Sequence, residues 1–141
     1  MSSKFAGLGI AVDKPARMTI LHPITRQPIK DGDGKEAYVD LYSSDSEAAR
    51  KHQRAVTKGR LALRDRGKVT AEQIEAENNG LYAALTAGWY LVSLAGMPID
   101  VPCTADNATE LYADPEQAWL REQVDSFVVD RSNFSKASST I

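Results

Sequence analysis

A change of punctuation near residue 43 constrains the fold of this chain more than any other feature. Before it, apolar runs are short and interrupted by glycine and proline. After it come two helix-start signals, Ser44 with Glu47 and Thr70 with Gln73, in which a hydroxyl and a side chain three residues on cap each other's amides. Such partners matter because the first four amides of a helix have no acceptor within it. The order is therefore strands first and helices afterwards.

In the first part, Met18-Thr19-Ile20-Leu21 is rich in strand formers and closes at His22-Pro23, where proline removes a ladder donor. Residues 25 to 35 carry turn chemistry, with Pro28 and the run Asp31-Gly32-Asp33-Gly34. The segment Ala37 to Tyr42 then alternates, with Val39 and Leu41 on one side and Tyr38, Asp40 and Tyr42 on the other. Two antiparallel strands joined by a long hairpin loop are expected. Residues 1–17, with Gly7, Gly9 and Pro15, read as a flexible arm.

In the second part, the helix opened at Ser44 is expected to reach about Arg66, with Gly67 at its C-terminal end. Its apolar stripe is narrow: Ala48, Ala49, Ala55, Val56, Ala62 and Leu63. The helix opened at Thr70 carries Ile74, Leu81, Leu85, Trp89 and Val92 near helical spacing and is expected to run to about Ala95, where Gly96 and Pro98 stop it. Thr104 caps a short helix, and Asp114-Pro115 restarts another, with aspartate at the cap and proline at the first helical position. The last helix places Leu120, Val124, Phe127 and Val128 together and ends near Asn133. The small polar composition of residues 135–141 predicts a disordered tail. A chain of 141 residues, 43% hydrophobic, supports one core. The expected fold is α+β and mainly helical, an N-terminal antiparallel β-hairpin packed on three to four helices, within a single domain spanning 18–134.

Charge is segregated along the chain. Residues 1–49 hold six basic and seven acidic side chains, residues 50–68 eight and one, and residues 69–141 three and eleven, for nets of −1, +7 and −8. The cationic segment invites a nucleic-acid reading, but it lacks interleaved aromatics and belongs to a chain that is acidic overall, whose anionic half can screen it or pair with it, so nucleic acid is not the expected partner. No window approaches the ~20 apolar residues of a membrane span, and the N-terminal residues do not form a secretory signal. Cys103 is the only cysteine, so no internal disulfide forms and a reducing cytoplasm is expected.

Nothing in the sequence anchors catalysis. Gly7-Leu8-Gly9 follows no clear strand and lacks the third glycine of a dinucleotide loop. His22 lies in a turn and His52 on the basic helix, both expected at the solvated surface, and no ligand spacing suggests a metal. The expectation is a binding protein without enzyme activity, cofactor or metal. The apolar run Trp89-Tyr90-Leu91-Val92-Ser93-Leu94 exceeds the single stripe a small helical domain needs, which marks Trp89, Tyr90, Leu91 and Leu94 as a partner surface. Trp119 and Phe127 are expected in the core beneath it. Arg50, Arg54 and Lys58 are expected to meet acidic faces of another copy or of a client.

Several segments taken together resemble tail assembly chaperones of long-tailed phages and prophages. They are the strand pair with its polar turn, the arginine-rich helix opened by Asp45-Ser46, and the stretch from Trp89 to Gly96 followed by Pro98. To these are added Thr104-Ala105-Asp106-Asn107-Ala108 with Leu111-Tyr112, then Trp119-Leu120-Arg121-Glu122-Gln123-Val124, and finally Asp130-Arg131-Ser132-Asn133-Phe134. The resemblance spans about Met18 to Phe134. It implies a protein of the bacterial host cytoplasm, absent from the mature virion, that keeps the tape measure protein soluble and brings tail tube protein to it. It also implies multiple copies on the client or a homo-oligomer. The alternatives are a minor tail or head-tail connector protein of the virion, and a nucleic-acid-binding adaptor.

Overall fold

Met18 and Val39 face each other across the first strand pair, β1 (Ala16–Thr19) and β2 (Tyr38–Leu41), and both are buried, as the alternation in this region predicts. The computed structural model describes residues 4–5, 8–9, 12–63 and 69–134. Beyond the hairpin lie α1 (Glu47–Leu63), α2 (Ala71–Leu85), β3 (Thr86–Val92), β4 (Pro98–Ile99), α3 (Ala105–Ala113) and α4 (Ala118–Val129). The fold is α+β, with the β-hairpin N-terminal to the helices. The sheet has four antiparallel strands in the order β1-β2-β3-β4, two more than the hairpin alone. Ala16 and Arg17, expected in the arm, are the first residues of β1. The remainder of the expected arm includes positions outside the described residues, as does the whole of the expected tail.

The hairpin loop is tied to the sheet by a closed ring of backbone hydrogen bonds. Ile20 donates to the Ala37 carbonyl (3.0 Å), Ala37 to that of Ile29 (2.8 Å), and Ile29 to that of Ile20 (3.1 Å). All three residues are buried, so the ring satisfies polar groups that water does not reach. Within the loop, Asp31 Oδ1 accepts from the amides of Asp33 and Lys35, while Gly34 takes the left-handed conformation (φ 83°) that turn chemistry at this point requires. His22 Nδ1 accepts from the amides of Ile24 and Thr25, so this half-buried ring organises the turn.

Helix α1 is capped two residues later than the sequence suggests. Ser46 Oγ, not Ser44, accepts from the Ala49 amide (3.3 Å), while Glu47 turns to Arg50 and Arg54. Of the expected stripe, Ala49 is buried, Ala48 and Val56 are half-buried, and Ala55 and Ala62 are exposed. Among the helices and strands, α1 packs mainly on α2. His52 is not a solvated side chain. Its Nε2 donates to the Glu77 carbonyl (2.9 Å), and its ring covers Gly80, where an added Cβ would stand 3.0 Å from Cε1.

That contact gives a prediction. Gly80→Ala gains about 1 kcal/mol of helix propensity but pushes against His52, so the two effects should nearly cancel in the wild-type background. With His52→Ala present, the same substitution should stabilise by about 1 kcal/mol. Denaturant unfolding of the four proteins of the cycle reads this coupling directly.

The helix opened at Thr70 has the expected reciprocal cap with Gln73 but ends at Leu85, not near Ala95. Thr86 Oγ1 donates back to the Tyr82 carbonyl, and the chain passes straight into β3. Helical spacing continues through Trp89 and Val92, yet Thr86, Gly88, Trp89, Tyr90 and Val92 are poor helix formers. The open edge of β2 supplies what those residues prefer, pairing Trp89 with Val39 and Tyr90 with Tyr38. A bulge at Asp40 and Leu41 accommodates the helix-to-strand junction.

Residues Met18, Val39 and Leu41 of the sheet and Leu85, Ala108, Tyr112, Leu120, Val124 and Val128 of the helices form one core. The opposite sheet face carries Arg17 over the Tyr38 ring (3.6 Å to its centroid), an Arg17–Asp40 ion pair, and Lys35 over the Tyr90 ring (4.3 Å).

Candidate functional site

Trp89 and Leu91 share one face of β3, and the next strand brings Ile99 opposite Leu91. Past β4 the chain stays close, because Trp89 Nε1 donates to the Val101 carbonyl (2.7 Å). Two bonds then fix the start of α3. Thr104 Oγ1 accepts from the Asn107 amide (3.1 Å), and Asn107 Nδ2 donates to the Pro102 carbonyl (2.9 Å). Helix α3 supplies Leu111, and the 3₁₀ turn Pro115–Gln117, opened by Asp114, delivers Trp119 at the head of α4. Trp89, Leu91, Ile99, Val101, Leu111 and Trp119 line a groove of about 310 Å³, with Glu110 and Asp114 as its charged wall.

An apolar ridge borders this groove. Leu94 (51% exposed) and Met97 (67%) sit in and beside the turn that joins β3 to β4, and Ile99 (43%) and Val101 (40%) follow. Gly96 closes that turn in the left-handed conformation (φ 87°), with a Cβ position only 3.3 Å from the Lys30 carbonyl. Four large apolar residues exposed within eight positions of sequence make this stretch the candidate patch, unlike the single exposed side chains scattered over most proteins.

The structure divides the expected partner set. Trp89 and Leu91 lie in the groove, and Leu94 stands on the neighbouring turn. Tyr90 lies on the other sheet face, where its hydroxyl donates to Asp31 and Lys35 covers its ring. That bond pushes the Tyr90 phenol up to about 12 and lowers the Asp31 carboxyl. The reason for the split is periodicity: as a strand, β3 sends successive side chains to opposite faces, whereas a helix would have gathered them differently. Trp119 and Phe127 pack against the core at its margin. Both are half-buried, Trp119 in the groove wall and Phe127 edge-on to Phe134 (5.5 Å between ring centroids).

Arg50, Arg54 and Lys58 lie on α1, away from this groove. Arg50 and Arg54 both bind Glu47, at 3.1 and 2.6 Å, which holds the Glu47 carboxyl below its ordinary range. Arg60 likewise binds Glu77. Lys58 remains beside Gln53, Arg54, Thr57 and Leu61 on an exposed shallow surface. Among the described residues, Arg50, Arg54 and Arg60, three of the eight cations of residues 50–68, are thus met by acids within α1 and α2.

A second recess of about 560 Å³ runs between β1 and α4, lined in part by Met18, Leu21, Arg26, Trp119, Glu122 and Phe127. At its floor the Gln123 amide bonds both backbone groups of Leu21, accepting from the N–H (3.0 Å) and donating to the carbonyl (2.8 Å). The side chain thereby occupies the place of a neighbouring strand.

Sequence reasoning missed Ile99, Val101, Leu111 and Trp119 as groove residues. The period of two in Pro98-Ile99-Asp100-Val101 was the available signal for the first pair. Among the described residues no group of His, Cys, Asp and Glu side chains is arranged to hold a metal ion, and no helix is long and apolar enough to cross a membrane. Burial raises the Cys103 thiol above its ordinary value, so it is held in its less nucleophilic form. Comparison with protein-family models, with curated proteins and with solved structures gave no match.

Proposed function

We propose that this chain is a tail assembly chaperone of a long-tailed phage or prophage, which holds the tape measure protein in solution and recruits tail tube subunits to it. It acts in the cytoplasm of the bacterial host, in multiple copies along its client, and leaves before the virion is complete. The observation that carries this reading is the apolar groove with its exposed ridge, Leu94, Met97, Ile99 and Val101. An extended, apolar, helical client needs such a surface, because its side chains aggregate unless another face covers them. The charged remainder of the molecule keeps the complex in solution. The segment-by-segment resemblance between Met18 and Phe134 supports the same assignment.

Co-expression with the tape measure protein of the same phage tests it. The wild-type chain should keep that client soluble and co-purify with it. Val101→Asp and Ile99→Asp place a carboxylate on the exposed rim and should abolish co-purification, with thermal unfolding within a few degrees of wild type. Purified virions should lack the chain. Finding it there in stoichiometric amount would instead make it a structural tail or connector protein.

A further inference from the structure

We infer that the segment captured by this groove is a helix whose apolar face is bordered by lysine or arginine, an inference that rests on the chaperone reading above. Its volume, about 310 Å³, admits side chains but not a helix, whose diameter with side chains is about 10–12 Å. The client therefore lies across the mouth and inserts its apolar residues. What borders those residues is set by what borders the groove.

The charged residues on that border are all acidic. Asp106, Glu110 and Asp114 recur every four residues along α3 and its C-terminal cap, so they form a row on one side. Glu110 and Asp114 belong to the groove wall itself, and Asp100 stands between Ile99 and Val101. From Val69 to Leu120 the sequence contains no lysine, arginine or histidine. Among the described residues no ion pair engages Asp100, Asp106, Glu110, Asp114 or Glu116. An apolar site bordered by carboxylates without an ion-pair partner disfavours an acidic partner and orients a basic one, with an effect that salt screens.

Two synthetic helical peptides with the same leucine stripe, one flanked by lysines and one by glutamates, test this against the full chain. Binding is read by calorimetry and by the emission of Trp89 and Trp119. At low salt the lysine peptide should bind about tenfold tighter, and ~0.5 M salt should shrink that ratio toward one. Asp106→Lys with Glu110→Lys should reverse the preference, while Val101→Asp should remove both peptides. Equal binding of the two peptides at low salt would overturn the charge rule and leave the chaperone reading intact. Loss of tape measure co-purification with the lysine preference retained would remove the chaperone reading instead. A third outcome overturns the client as occupant: self-association that Lys58→Glu disperses, freeing the groove for peptide, would put the basic helix α1 of a second copy there instead.

Discussion

Alanine at Tyr112 is expected to destabilise the protein by about 3–5 kcal/mol, while phenylalanine there costs about 1 kcal/mol. The ring is 1% exposed at the meeting of α2, α3 and the start of β3, with Tyr82 edge-on at 6.0 Å. Removing it leaves a cavity that helices anchored by several other contacts do not close. Against the 5–15 kcal/mol typical of a domain, that loss is enough to unfold much of the population near growth temperature. The phenylalanine variant isolates the hydroxyl. Thr86 Oγ1 donates its proton to the Tyr82 carbonyl, so Tyr112 donates to Thr86 Oγ1, at 2.8 Å. In the variant Thr86 keeps its other bond, which is why the cost is small.

The same residue sets an alkaline limit. Burial pushes the Tyr112 phenol up to about 12, and burial together with the bond to Asp125 does the same for Tyr82. A folded-state value above the unfolded value of ~10 means that the folded chain holds these protons more tightly. Their contribution is complete below pH ~10 and disappears as pH rises through about 12. Denaturant unfolding between pH ~9 and ~12 should show falling stability in the wild type and a shallower fall in Tyr112→Phe.

Gln123→Leu is expected to cost about 2 kcal/mol, because it leaves the Leu21 amide and carbonyl without a partner at a position only partly open to water. β1 is an edge strand, and this side chain completes the same edge where the chain continues past it at Leu21. Gln123→Glu separates the two bonds. The carboxylate still accepts from the amide but faces the carbonyl with no proton, so stability should fall at neutral pH. It should recover as acid protonates the new side chain. Amide exchange at Leu21 is the local measurement, and in both variants it should accelerate more than exchange at Val124. Unchanged exchange at Leu21 would mean that the Gln123 bond contributes nothing to holding this edge.

Much of the fold was legible because its signals are local. Thr70 with Gln73, Thr104, and Asp114 before Pro115 all act within one helical turn, and each cap forms where the residues predict it. The β1–β2 hairpin is equally local, its alternation written in Val39 and Leu41. Gly67 lies outside the described residues. What was not legible depends on distant partners. Leu81, Leu85 and Trp89 have helical spacing, and only the presence of β2 makes Trp89 and its neighbours a strand. Ser44 and Ser46 offer the same hydroxyl, and the bond that holds the Ser44 amide to the Val128 carbonyl of α4 leaves Ser46 at the cap. The candidate groove draws on β3, β4 and the connector after it, α3 and α4, pieces that no window of sequence displays together. The sequence did mark Trp89 and Leu91, because an excess of apolar residues is visible without knowing their geometry. It misplaced Tyr90 for want of that geometry.

Trp119 lines both the groove and the recess beside β1. One indole thus serves as a party wall between two rooms. A change at this one side chain therefore reshapes both hollows together, whichever of them it was aimed at.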